Sequence, residues 1–236
     1  MRKLGRLPLD QLQPYLIATT APGPSGSPGS VGLAAGPLDF VSLFGNTNPV
    51  ELEVGHGKGQ FIVSSASARP EVNFLGIEIV YKYHLYTADR AARRRLTNVR
   101  LVCGDVRELL PRLIPPASLQ AIHVYFPDPW WKTRHHKRRV FTPTFVAHCV
   151  TALRPHGHLC IATDVAEYAQ MIREMCAAQP ELCDQSAPMA DTAFRLPELQ
   201  TNFERKAQLQ GRPIFRMLYQ RSEPLPSGHD CSAHGV

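Results

Sequence analysis

The residues best suited to chemistry lie in one stretch, Val124-Tyr125-Phe126-Pro127-Asp128-Pro129-Trp130-Trp131, with Lys132-Thr133-Arg134-His135-His136-Lys137-Arg138-Arg139 directly behind it. Two prolines hold one carboxylate, Asp128, between stiff backbone neighbours. Two aromatic faces and a dense run of positive charge follow. An acid, stacking surfaces and phosphate-seeking cations at one point suit chemistry on a nucleotide. Trp130 and Trp131 read either as stacking platforms for a base or as core aromatics beside a strand. His135 and His136 have no second cluster of ligands nearby, so no metal is expected.

The elements that position this stretch follow from the apolar pattern. Residues 121–126 read as a buried strand stopped by Pro127. The same strand-then-helix pattern recurs on both sides. Strands are expected at Val50–Val54, Asn73–Glu78, 98–103 and 157–163, with a last one at 213–220. Helices are expected at Gln60–Ala68, 81–96, Val106–Leu113, 142–153 and 165–178. Thr142 caps one of them, with Pro143 at its first position. Arg93, Arg94 and Arg95 close the 81–96 helix, where they complement its dipole or touch RNA. This alternation marks a parallel α/β sheet with helices on both faces. A short arm (1–20) and a Pro/Gly/Ser-rich linker precede residue 38, the α/β domain runs to 221, and residues 222–236 read as a disordered tail.

Five acids fall at strand ends: Glu53, Glu78, Asp105, Asp128 and Asp164. In an open parallel sheet that edge is where ligands bind. Gly55-His56-Gly57-Lys58-Gly59 follows the first strand and reads G-x-G-x-G, not the G-x-G-x-x-G of dinucleotide folds. Glu78, 19 residues past Gly59, suits the two hydroxyls of a ribose. Asp105 suits an adenine amine and Glu53 an ammonium group. Together they point to an adenosyl ligand without a pyrophosphate, for which S-adenosyl-L-methionine fits.

Glu53 to Gly59, Phe74-Leu75-Gly76-Ile77-Glu78, Cys103-Gly104-Asp105, the Phe126 to Trp130 motif with Lys132 and Lys137-Arg138-Arg139, Ala162-Thr163-Asp164 and Thr201-Asn202-Phe203-Glu204 stand in this order. The set resembles the bacterial tRNA (guanine-N7)-methyltransferases over residues 50–220. The resemblance implies a Rossmann-like class I methyltransferase fold, a mostly parallel seven-stranded sheet whose last strand is antiparallel. It implies S-adenosyl-L-methionine as donor and a guanine of the tRNA variable loop, guanine 46, as acceptor. Cofactor contacts would then be Glu53, Gly55, Gly57, Glu78, Asp105 and Asp128, with Asp128 also catalytic. Substrate contacts would be Lys132, Asp164, Thr201, Asn202, Phe203 and Glu204. RNA would be held by Arg134, His135, His136, Lys137, Arg138 and Arg139. The chain departs from the family at Ala207, where glycine is common, and in the arm and linker before residue 38.

Other classes fit less well. An NAD-dependent oxidoreductase is disfavoured by the glycine spacing, and an RNA-binding protein without turnover by the full set of strand-end acids. A methyltransferase for exocyclic amines would carry two prolines after its acid, whereas Asp128 has one. The 236 residues carry a formal charge of +6, which favours an anionic partner. Six cysteines without a C-x-x-C pair, no long apolar run and an interrupted N-terminus point to a reducing, cytoplasmic setting with no membrane association. A monomer or homodimer without an obligate protein partner is expected.

Overall fold

A computed structural model describes residues 5–18, 36–130, 133–186 and 209–223. Among these residues eight strands form one sheet: β1 (Leu16–Ile17), β2 (Val50–Val54), β3 (Asn73–Glu78), β4 (Val99–Cys103), β5 (Leu119–Tyr125), β6 (Leu153–Thr163), β7 (Leu182–Asp184) and β8 (Phe215–Arg221). Their order is β1-β4-β3-β2-β5-β6-β8-β7. All pairings are parallel except those of β8 with β6 and β7. The order reverses between β2 and β5, so the switch point lies where the glycine loop and the Asp128 loop leave the sheet.

Seven of these strands are the ones the family resemblance implies, and the arm adds an eighth. Leu12, on the short helix α1 (Leu9–Leu12), is fully buried. That anchorage brings Leu16 and Ile17 alongside Leu101 and Val102, covering an edge otherwise open to pairing. β7 has three residues, too few to show a period in the sequence. β6 begins at Leu153, earlier than the expected residue 157. A register shift between Leu119 and Ala121 lets β5 pair with Leu153 as well as His158.

The helices are α2 (Phe40–Phe44), α3 (Gln60–Ala68), α4 (Tyr81–Arg93), α5 (Val106–Leu113), α6 (Pro143–Ala152) and α7 (Ala166–Ala177). Strand alternation decides what each face buries. Val50, Leu52 and Val54 join Leu109, Phe145 and Ile172 in the larger core. Ile62, Val63, Phe74, Leu85 and Leu101 form the second core under α3 and α4. Glu51 and Glu53 point to the α3 side, because they alternate with the apolar residues of β2.

Candidate active site

The glycine loop is held by hydrogen bonds that converge on Glu78. Gly55 N–H donates to the Ile77 carbonyl at 2.8 Å, and Gly57 N–H to Glu78 Oε2 at 2.8 Å. The other Glu78 oxygen accepts from Val80 N–H at 2.8 Å, at the start of α4. Thr87 donates from α4 to the Gly57 carbonyl at 3.1 Å. Gly59 caps α3 with φ +69°, and a Cβ there would lie 2.5 Å from Thr87 Cγ2. Glycine is required at that position twice over, by conformation and by contact.

Glu53 lies below the loop, 5% exposed, and accepts from Ile62 N–H of α3 at 3.0 Å. Burial, with the charge of Glu78 added, pushes its carboxyl up to about 8. Burial also raises Glu78, and the charge of Asp128 adds to the shift. The carboxyls of β2, β3 and the β5 loop therefore crowd one another at the switch point, and Glu53 and Glu78 are both pushed towards their neutral forms. A cation placed there would be favoured strongly.

The loop after β5 is strained at both ends of its proline-flanked acid. Phe126 has φ +51° and Trp130 φ +45°, a region bulky residues rarely enter. Phe126 N–H donates to the Ala162 carbonyl at 2.7 Å, tying the turn to β6. Arg139 Nε donates to the Pro129 carbonyl at 2.7 Å. Its guanidinium also lies over the Tyr168 ring at 5.2 Å and reaches Met171 Sδ at 3.3 Å. Arg139, expected among the RNA contacts, thus faces inward and braces the Asp128 loop against α7. Arg138 stacks over Trp130 at 5.0 Å, with His135 edge-on to the same indole at 5.7 Å. Asp128, Arg134 and Arg138 are exposed. The backbone of residues 133–138 forms a 3-10 helix that includes His136 and Lys137.

Asp105 and Asp164 flank the central cluster, each already paired. Asp105 caps α5 through Arg107 N–H at 2.9 Å and forms an ion pair with the Arg107 guanidinium at 2.5 Å. Beside it a cavity of about 250 Å³ extends to Thr142 and His148, bordering Asp105 but none of Glu53, Glu78 or Asp128. Asp164, at the end of β6, is paired with Arg212. Trp131, Lys132, Thr201, Asn202, Phe203, Glu204 and Ala207 lie outside the described residues.

Sequence reasoning missed a buried network beneath the site. Glu51 accepts from both terminal nitrogens of Arg69 at 2.8 and 2.9 Å, and His123 Nε2 lies 2.9 Å from it. His123 Nδ1 is 2.9 Å from the Tyr125 hydroxyl. Burial opposes the charge on Glu51, yet its bonds to His123 and Arg69 hold it at about 2. The signal was legible: Val-Glu-Leu-Glu-Val puts both acids on one face, and His123 and Tyr125 alternate in the neighbouring strand. These groups fix β2 to β5 just below the switch point.

A family model described as "Putative methyltransferase" matches residues 47–217. A tRNA (guanine-N(7)-)-methyltransferase of Rhodopirellula baltica is 39% identical over 193 residues, covering 78% of this chain and 70% of that protein. Another from Alkalilimnicola ehrlichii is 34% identical over 223 residues, covering 94% of this chain and 92% of its own. The chain belongs to the tRNA (guanine-N(7)-)-methyltransferase family. Membership gives the five strand-end acids and the glycine loop a common frame, that of a methyltransferase. Among solved structures the 16S rRNA methyltransferase KamB aligns with a TM-score of 0.54 at 16% identity, covering 78% of this chain and 92% of that one. That likeness speaks to the class I methyltransferase fold alone.

Proposed function

We propose that this protein transfers a methyl group from S-adenosyl-L-methionine to N7 of a guanine in the tRNA variable loop, guanine 46. The observation that carries the reading is the crowding of Glu53, Glu78 and Asp128 at the switch point. Three carboxylates around a glycine loop suit a ligand that brings positive charge. The residues present fit the donor in other respects. A Cβ at Gly55 would meet nothing within 4 Å, and one at Gly57 only the Gly55 carbonyl oxygen at 3.9 Å, so the loop backbone borders open space. Ile79, directly after Glu78, is 52% exposed and offers an apolar surface to a purine. Glu78 would hold the ribose, Asp105 the adenine side, and Glu53 with Gly55 and Gly57 the amino-acid end. When bound, the donor supplies an electrophilic methyl on a sulfonium.

The chain's own tasks are then placement and charge. Guanine N7 carries an in-plane lone pair, so no base needs to remove a proton first. Fixing it in line with the methyl offsets roughly 7–11 kcal/mol of barrier in well-oriented systems. Asp128, exposed and held between two prolines, faces the purine as it gains positive charge and accepts from its N1 and N2 edge. Lys132, Asp164 and Thr201 to Glu204 complete the acceptor site, and Arg134 to Arg138 take phosphates. The protein acts as a monomer or homodimer without a further protein partner.

The test is incubation with labelled S-adenosyl-L-methionine and bulk tRNA, digestion to nucleosides, and mapping of the label along the tRNA. The label is expected in 7-methylguanosine at the variable loop. Cofactor binding without any labelled nucleoside would contradict the acceptor, and label at another position the choice of guanine.

A further inference from the structure

The outer face of α4 carries chemistry that the active site does not use. Tyr83, Tyr86, Arg90 and Arg94 are spaced by three, four and four residues, which aligns them along one side of a helix. Tyr83 is 37% and Tyr86 46% exposed, and Lys82, Arg94 and Arg95 are exposed beside them. Burial lowers Arg90 and the charge of Arg94, one turn further on, adds to the shift. It also donates to the Lys58 carbonyl at 2.6 Å, bringing exposed Lys58 to the same side.

Helix electrostatics account for part of this pattern only. Cations in the last turn complement the dipole, but Lys82 stands in the first turn, where a cation opposes it. The single carboxylate of α4, Asp89, is engaged by Arg93 at 2.8 Å and by Leu7 N–H at 2.7 Å. Among the described residues it forms no ion pair with Lys82 or Arg94. Two exposed tyrosines held among exposed cations form a surface for a polyanion that also offers stackable rings.

We propose that Lys82, Tyr83, Tyr86 and Arg94, with Lys58 beside them, form a second RNA-binding surface that grips the tRNA body away from the target guanine. Tyr83 and Arg94 are eleven residues apart, about 16 Å along the axis, so the surface runs from the Glu78 edge down the flank. It is separate from the basic run behind Asp128, and it rests on the reading that tRNA is the substrate.

The test uses the full chain in two double variants, Lys82→Glu/Arg94→Glu and Tyr83→Ala/Tyr86→Ala. tRNA binding, methyl transfer, cofactor affinity and sedimentation are measured for each. The charge variant is expected to raise KM for tRNA about tenfold and to reduce the slope of log affinity against log salt by about 1.5. The tyrosine variant is expected to weaken tRNA at least about fivefold with the slope unchanged. In both, kcat and cofactor affinity stay at wild-type values. Wild-type tRNA affinity and slope in both variants would overturn the proposal. So would a loss explained by weaker cofactor binding, or a changed sedimentation coefficient, which would make the face a contact between copies. Wild-type protein that binds tRNA without methylating it would sink the proposed reaction, and the surface would then be judged on binding alone.

Discussion

Burial, with the charge of Glu78 beside it, makes it costly for Glu53 to stay ionised. Its carboxyl is raised from 4.5 to about 8, so the ligand-free protein carries it neutral at pH 7. The unfolded chain ionises it near 4.5, and the stability it contributes is full below that pH and is lost as pH rises towards 8. Glu53→Gln removes this dependence. Thermal melts of wild type and variant should coincide near pH 4.5 and diverge towards pH 8, with the variant more stable. Parallel curves across that range would contradict a buried, neutral Glu53. The same variant is expected to bind S-adenosyl-L-methionine less tightly, because a fixed amide cannot ionise against the ligand's positive charge. At this scale the sequence showed where the acids stand, since each lies at or just past the end of a strand. It did not show their protonation, which depends on Ile62 and Glu78 folding around Glu53.

The loop between β5 and α6 is the element that joins the edge proposed for the cofactor to the face proposed for RNA. Its shape depends on an arginine that resembles its neighbours in sequence and differs from them in direction. Arg134 faces solvent, whereas Arg139 bonds to the Pro129 carbonyl and packs on Tyr168. Their variants should therefore fail differently. Arg134→Ala is expected to weaken tRNA binding and lower the salt slope by about one. Arg139→Ala is expected to cut kcat about tenfold or more through a misplaced Asp128, with the salt slope unchanged. Equal salt slopes in the two variants would contradict the division. A run of eight residues containing five cations reads as one basic patch, because direction depends on Tyr168 and Met171, far away in the chain. The strands and helices around it were legible, since their apolar periods are strong. β1 and β7 were not, being too short to show a period.

Across the whole molecule, polar groups buried near the switch point tie the sheet together and make its stability depend on pH. Glu51 links Arg69 and His123 across β2 and β5, so Glu51→Ala leaves two donors without their acceptor. A loss of about 3–5 kcal/mol is expected in denaturant unfolding at pH 7. A loss below 1 kcal/mol would mean that the network does not hold the sheet. Acid acts through other groups as well. Burial lowers His56 to about 3 and His84 to about 4. The stability they give is present above 6.5 and is lost as pH falls towards those values. With Glu53 acting in the opposite sense, melting temperature should peak near pH 6.5. Gly76 is part of this arrangement, since a Cβ there would lie 2.7 Å from His56 Cδ2. A scaffold pinned this way is proposed to hold Asp128 for methyl transfer to guanine N7. The most direct test of that role is single-turnover transfer to bulk tRNA by wild type and Asp128→Ala, with 7-methylguanosine quantified and tRNA and cofactor binding measured alongside. Wild type is expected to form 7-methylguanosine, and the variant to react about 10²–10³-fold more slowly with tRNA still bound. A variant that forms 7-methylguanosine at the wild-type rate would contradict that role.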